Sequence, residues 1–576
     1  MPDFAKLEKA DSTVASRPGS GSGSESFSSA TPYNNSTKMG WGASFVDSFK
    51  RQDAAHLEVG KQLSKTISKR HLTTMALVTG VGTGLLVGSG KSLHNAGPLF
   101  LIVGYAIVGS FLYPTLQAAG ELAVNYSDLS GGYNNYPRKF LDESIAFAVT
   151  WNYCIQWLSV IAVELVTASL TIKFWNDTIN PDVWVAILFV VVLAINFFGA
   201  RGWGEGEFLF GTCKLLMITG FIIMGIVVNV GGGPEKKFIG GQYWHNPGYY
   251  TNFKGLCSVF VTGAFSLGQS EFVALSAAEQ ANPRAAIPSA CKLIFWRILI
   301  LFLGSLTIVG LLVPYNSDKL MGSGGSSASH ASPFVLAAAL HGVKAVPSII
   351  NAVILLSVTS VASSSLYSAS RTLQSLAEQG FAPQYFNYID KTGRPLRSLI
   401  FCSVCGLFSF IAAYKKEETV FNWLLAISGL SQIFTWDIIV VSHVRFRQAL
   451  KHNNISIDSL GYVASTGVWG SIYAIVWHWL ILIAQFYIGL FPIGSGTASA
   501  ESFFSAYLAA VVLIVFYIGH KLYTRNWSLF IKLDDIDINT DRTIFDPEVL
   551  ALERAESAAA RAKHPWWKKV IDLLFN

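Results

Sequence analysis

Apolar stretches recur along the chain, separated by short polar intervals, near residues 74–92, 99–124, 144–174, 183–200, 206–230, 258–278, 293–314, 347–370, 398–414, 421–442, 468–491 and 503–523. Roughly 20 apolar residues in helical form cross the hydrocarbon core of a bilayer. Runs such as 183–199 and 293–313 cover most of that distance without a helix-period polar face, which a soluble amphipathic helix would show. The pattern predicts an all-α membrane protein of about twelve transmembrane helices. Gly, Ser and Thr interrupt several stretches, and such small residues are what closely packed helices use inside a membrane. Residues 1–70 are polar and, from 20 to 29, low in complexity, which predicts a disordered tail. A transporter domain over 71–525 and a second tail over 526–576 follow. With no cleavable leader in sight, the first span acts as its own insertion signal.

Composition agrees: 51% of residues are hydrophobic and only 14% charged, against about 25% charged in soluble domains. The net charge of +6 matters less than where it sits. With the N-terminus in the cytosol, Arg138, Arg201, Arg284, Arg297, Arg371, Arg394, Arg397, Arg445, Arg447 and Arg525 all fall in cytosolic loops or at cytosolic ends of spans. The outer loops hold only lysines, among them Lys236, Lys237, Lys415 and Lys416. That asymmetry satisfies the positive-inside rule and places both termini in the cytosol. The six cysteines lie in or beside apolar segments, and Cys402 and Cys405 form an isolated C-x-x-C, which reads as packing. After the acidic stretch 534–541, the chain ends with Trp566, Trp567, Lys568 and Lys569 before an apolar run. Such a segment suits either docking at a membrane surface or a solvated helix with a sticky end.

Two spans are interrupted. The first contains Thr79-Gly80-Val81-Gly82-Thr83-Gly84, and each glycine costs a helix roughly 1 kcal/mol relative to Ala. The sixth contains Ser266-Leu267-Gly268-Gln269-Ser270-Glu271, polar and ionisable. Freed backbone groups at membrane depth are tolerated only where they line a cavity or are buried in protein. Two interrupted helices, five spans apart, point to a midplane binding site in an inverted-repeat transporter. Past a break, unpaired N–H groups and the positive end of the helix dipole suit a carboxylate. Before it, unpaired carbonyls suit an ammonium, so a pair of breaks suits an amino-acid zwitterion. The competing reading is a glycine-rich packing face without a ligand. Gly90-Lys91-Ser92 lacks the upstream glycine of a phosphate loop, where Leu85 stands, and no arrangement of residues is spaced for catalysis. Neither enzyme activity, nor a cofactor, nor a nucleic-acid partner is expected.

One further charge stands out. Lys214 is flanked by Cys213, Leu215, Leu216 and Met217 in the fifth span. A lysine at the bilayer centre costs at least roughly 2.5–3.5 kcal/mol on insertion scales, so it should face the interior. A buried amine of this kind is able to gain and lose a proton. The alternative is a fixed ammonium paired with a carboxylate for packing.

Several stretches together are similar to the fungal amino-acid permease family of the amino acid–polyamine–organocation superfamily. Val81 to Gly90 (VGTGLLVGSG) resembles its first span, and Gly120-Glu121-Leu122-Ala123, Asn196-Phe197-Phe198-Gly199, Gly231-Gly232-Gly233-Pro234, Tyr243 to Gly248 (YWHNPG), Leu312 to Asn316 (LVPYN), Ala331 to Phe334 (ASPF) and Lys391 to Leu396 (KTGRPL) agree. The likeness runs from about residue 65 to 545 and is nearest to the general permeases and their S-adenosylmethionine-transporting relatives. It implies a LeuT-like 5+5 inverted repeat with two extra spans and proton-driven uptake at the plasma membrane. It implies substrate contacts at Gly82, Thr83, Gly84, Ser266, Gly268, Gln269, Glu271 and Ser363, with Phe265 as an aromatic gate. It also places Lys214 beside the first break, where the protonated amine would bond to carbonyls of the first and eighth spans; Glu164 in the third span and Glu271 in the sixth are the next candidates for carrying or relaying the proton. Lys6 and Lys9 become plausible acceptors for a ubiquitin ligase. The chain departs from the family pattern at Gln269, where Gly is usual, at Ser363, where many members carry Asn, at Asp437, and at its end, which lacks an aromatic-Cys pair. The resemblance leaves open a narrow-range carrier (cationic, aromatic, proline or S-adenosylmethionine) and a sensor with little flux.

Overall fold

The structure, a computed structural model, describes residues 47–51 and 69–565 apart from 79, 128, 130–131, 177, 276–282, 321–331, 414–416 and 495–496. Ser48–Asn576 forms one compact unit, to which every element below belongs. Among the described residues all regular structure is helical, save an isolated antiparallel bridge between Arg51 and Asp390.

Among the described residues, eight helices are long and apolar enough to cross a membrane: Gly84–Asn125, Glu143–Ile172, Gly202–Gly232, Ala286–Leu312, Val346–Glu378, Trp423–His452, Gly467–Leu490 and Ala500–Thr524. The first of these is two crossings. Gly97 leaves helical geometry at φ 78° and ψ 168° just before Pro98, and a Cβ there would lie 2.8 Å from the Tyr250 backbone. The chain turns at that point because proline cannot extend the preceding helix and only glycine fits the approach. Shorter apolar helices Pro181–Phe197, Phe253–Leu267 and Leu396–Phe410 supply the fourth, sixth and ninth spans. Lys69–Val78 supplies the leading half of the first. The described elements thus fall into the twelve crossings that the apolar pattern predicts.

Side-chain caps set several starts. Asp142 accepts from Ser144 N and Ile145 N at the head of the third span, and its carboxylate also faces buried Lys521, 2.9 Å away. Asn180 precedes Pro181 at the fourth, and Asn252 accepts from Gly255 N at the sixth. The third and eighth spans pack along each other at the centre, and residues 357–377 of the eighth are buried throughout. Ser, Thr and Ala dominate that stretch, and small side chains let backbones approach without a water-driven core. Large apolar residues are instead exposed on the eleventh and twelfth spans, for example Trp469, Ile483 and Val515. In lipid that outward apolar face needs no cover.

Part of the expected N-terminal tail packs on the domain. Asp390 and Arg394 form a buried ion pair at 2.6 Å after the eighth span. Ser48 Oγ accepts from Arg394 Nη2 at 2.9 Å, the Phe49 ring lies 4.5 Å from the guanidinium, and the Lys50 carbonyl accepts from Lys391 N at 2.9 Å. A buried guanidinium needs its remaining donors covered: this segment takes one of them and the face, and the Phe197 carbonyl at the end of the fourth span takes another. Lys6, Lys9 and Lys38, like Trp566 to Phe575, lie outside the described residues. The described part of the C-terminal segment lies against the ends of spans: Thr543 N donates to the Asn125 carbonyl, Tyr126 to the Ile538 carbonyl, and Arg284 pairs with Glu553.

Candidate functional site

The first span leaves helical geometry at Gly80, whose φ is 89°, and resumes as a wide helical turn from Gly84 to Gly88. Each glycine sits where another element comes close. A Cβ on Gly80 would lie 2.5 Å from the Gly268 carbonyl oxygen, one on Gly82 2.7 Å from Val361, and one on Gly84 2.5 Å from Ser266 Oγ and 2.9 Å from the Phe265 ring. Contacts under about 3 Å force something to move, so these positions exclude side chains through their neighbours as well as their dihedrals. Between the glycines, Thr83 Oγ1 donates to Glu164 Oε2 of the third span at 2.6 Å. Ser357 of the eighth span donates to the Val81 carbonyl at 2.5 Å.

The second break is made differently. Helix Phe253–Leu267 stops, Gly268 is extended, and Gln269 takes the left-handed conformation at φ 64°. That backbone suits glycine and costs other residues roughly 1 kcal/mol. The Gln269 side chain turns back and accepts the Gly80 N–H at 3.1 Å, so one break satisfies an orphan donor of the other. Glu271 is fully buried, accepting from Trp436 Nε1 at 3.2 Å and from the Tyr153 hydroxyl at 3.4 Å. Ser266 Oγ is 2.8 Å from the Tyr105 hydroxyl, and Ser270 is bonded by Arg297, which also donates to the Ala76 carbonyl at 3.3 Å. Arg297, read from sequence only as an end-of-span charge, therefore ties the leading half of the first span to the second break.

Both breaks open on one small space of ≈ 20 Å³, lined by Gly80, Gly82, Thr83, Gly84, Phe265, Gly268 and Gln269, with Glu164 in its wall. That volume holds about one water. An amino acid enters only if the walls part. Ser363 stands apart from this lining: Asn196 Nδ2 donates to its hydroxyl at 3.0 Å and to its carbonyl at 3.1 Å, and Val361 presents the eighth span to the cavity instead. Ser266 and Glu271 flank the cavity through their bonds without lining it. Gln156, Trp157 and Val160 of the third span and Gln432 of the tenth complete the wall. Sequence reasoning missed these four, because a polar or aromatic residue in a helix buried on every side carries no mark of the direction it faces.

Lys214 is fully buried, as the cost of an ammonium in lipid requires. Its Nζ donates to Ser360 Oγ at 2.9 Å and lies 3.6 Å from Glu207 Oε1. The expected bonds to carbonyls of the first and eighth spans are replaced by this hydroxyl and this carboxylate. Glu207 in turn accepts from Ser360 at 2.6 Å and from Ser364 at 3.2 Å, and Glu164 is within electrostatic range of the lysine. Glu207 precedes Lys214 by two helical turns, so the shared face was legible from spacing. Ser357 and Ser360 are one turn apart on the eighth span, which links the lysine to the Val81 carbonyl at the first break.

The amino acid permease family model matches residues 71–533. The chain is 52% identical to the general amino acid permease AGP1 of Saccharomyces cerevisiae, covering 88% of this chain and 81% of that protein. It is 50% identical to the high-affinity glutamine permease of the same yeast, over 92% and 80% of the two chains. It is 45% identical to the general amino-acid permease GAP1, over 91% and 90%. Matched over most of its length, with two interrupted spans meeting at one buried cavity, the chain belongs to the amino acid permease family: a multi-span membrane transporter of LeuT-like fold, not an enzyme.

Proposed function

We propose that the chain imports amino acids in symport with protons across the plasma membrane, accepts a broad range of side chains, and keeps both termini in the cytosol. The observation that carries this reading is the meeting of the two breaks at one cavity, beside a buried lysine and two buried carboxylates. The N–H groups at the start of the outgoing half of the first span receive the substrate carboxylate. Carbonyls freed at the second break receive the ammonium. Phe265 closes the space, and Gln269 sets how far the breaks separate. General permeases stand among the relatives, as their names state, which favours breadth. Relatives named for glutamine and for valine keep a narrower range in view.

Coupling falls to Lys214, Glu207 and Glu164. A protonated Lys214 holds Ser360 and Glu207 and, through the neighbouring Ser357, steadies the Val81 carbonyl in the substrate-ready arrangement. Loss of the proton loosens that arrangement and releases cargo inside. The competing role, a permanently charged pair for packing, gains weight from the Glu207 contact and is separable by experiment. In proteoliposomes, Lys214→Met should abolish accumulation driven by a pH gradient while substrate exchange partly survives. Continued accumulation by this variant, still collapsed by a proton ionophore, would move the coupling proton elsewhere. Tracer uptake by the wild-type chain separates a carrier from a sensor. Recruitment of a ubiquitin ligase through Lys6 and Lys9 belongs to the same reading, and nutrient-triggered endocytosis of the Lys6→Arg, Lys9→Arg double variant tests it.

A further inference from the structure

A continuous helix through the first break would close the Gly80 N–H on the Ala76 carbonyl, one turn back. In this protein both ends of that bond have passed to other spans. The Gly80 N–H goes to Gln269 Oε1 at 3.1 Å, and the Ala76 carbonyl accepts from Arg297 Nη1 at 3.3 Å. Arg297 Nη2 donates to Ser270 Oγ, and that hydroxyl donates onward to the Leu267 carbonyl at 2.5 Å, where the helix before the second break ends. One guanidinium on the seventh span thus holds the end of Lys69–Val78 and the segment just past the second break. It is 1% exposed, stands 5.7 Å from the Phe302 ring, and lies within electrostatic range of Glu271. An ionisable side chain at membrane depth is costly and is retained where it has a task.

We infer that Arg297 is a positioning residue that latches the inner halves of the first and sixth spans together, and that it releases one of them when the cavity opens to the cytosol. The inference rests on the reading of the chain as a carrier with a cytosolic N-terminus. Successive spans run in opposite directions. The part of the first span before its break and the part of the sixth after its break therefore lie on the same, N-terminal side of the cavity. An amino acid leaving on that side passes between these two pieces, and the bridge from Ala76 through Arg297 to Ser270 closes that path. Arginine suits the task because its planar fork engages two acceptors at once, whereas lysine offers a single point charge. Water replaces part of both bonds once the path opens, so the latch biases the equilibrium between closed and open forms without locking it. Arg297 does not line the cavity, so the bias is the same whatever the cargo.

The test is amino-acid exchange by the full chain in right-side-out and inside-out membrane vesicles, at equal pH on both sides. An apparent constant is the intrinsic one divided by the competent fraction, so the ratio of outer to inner half-saturation constants follows the ratio of inward-open to outward-open molecules. Losing hydrogen bonds from a charged donor should raise that ratio roughly tenfold or more in Arg297→Gln. Asparagine and leucine should show the same factor, and Arg297→Lys a smaller one. Ser270→Ala keeps the guanidinium and removes one tie, so it should shift the ratio in the same direction even if no Arg297 variant reaches the membrane. An unchanged ratio with a lowered maximal rate would make Arg297 a packing residue and overturn the latch. A shift that differs between asparagine and leucine would place Arg297 against the cargo and overturn it too. Absence of exchange of any amino acid by the wild type would instead remove the carrier reading beneath it.

Discussion

The two interruptions are built from opposite materials. At the first break the chain removes side chains: Gly80, Gly82 and Gly84 each stand where an added Cβ would come within 2.7 Å of another element. At the second it adds them: Gln269 reaches back to Gly80, Ser270 meets Arg297, and Glu271 is held by Trp436 and Tyr153. One break works by proximity and the other by bonding. The first should therefore fail abruptly on substitution, while the second should change by degrees.

The sharpest contrast is at Gly84. Gly84→Val drives a branched side chain into Ser266 and the Phe265 ring, and overpacking of this kind costs roughly 1–3 kcal/mol or more. Uptake should be abolished while surface abundance, read by cell-surface labelling, stays near normal. Normal transport at normal abundance would break the comparison. Gly220→Ala, in the fifth span where nothing lies within 4 Å of an added Cβ, serves as a control and should transport normally. At the second break, Glu271→Gln retains shape but puts an amide nitrogen where one of the two oxygens accepts from Trp436 or Tyr153, and a buried donor left without its acceptor costs about 1–3 kcal/mol. A loss of transport rate of roughly tenfold or more is expected, with residual activity still measurable. If Glu271→Gln were as silent in transport as Gly84→Val, the graded behaviour assigned to the second break would be wrong. Gln269→Gly should show the smallest change in stability. It relieves the left-handed backbone, about 1 kcal/mol, and loses the bond to Gly80, about 1 kcal/mol in the other direction. Thermal stability in detergent should stay nearly constant while the order of competitors changes. An unchanged order would leave Gln269 a packing residue.

Much of the architecture was written in the apolar pattern, because a bilayer sets helix length and punishes backbone breaks that have no purpose. Gly80 to Gly84 and Ser266 to Glu271 are visible as violations of that rule. Rotation about a helix axis is a different matter. In a soluble bundle a polar stripe marks the outer face, but the eighth span is buried on all sides over residues 357–377. Nothing in its sequence distinguishes Ser363, turned to Asn196, from Val361, turned to the cavity. Gln156 and Gln432 were hidden for the same reason, their meaning arising only when the third and tenth spans meet. Glu207 could have been found, since two turns of helix place it on the face of Lys214. The segment 48–51 was hidden in polar sequence, because its partner is an ion pair more than 300 residues away, at Asp390 and Arg394.

The space of ≈ 20 Å³ between the breaks has a bearing on how any binding constant for this protein should be read. Since it admits about one water, a substrate received there, as proposed above, binds only the fraction of molecules whose walls have separated. The apparent dissociation constant is then the intrinsic one divided by that fraction. The factor is shared by all amino acids under given conditions, so it cancels from a ratio of two competitors and remains in every absolute value. A change of lipid, temperature or a distant side chain that alters the open population moves all half-saturation constants in parallel and leaves the order of preference alone.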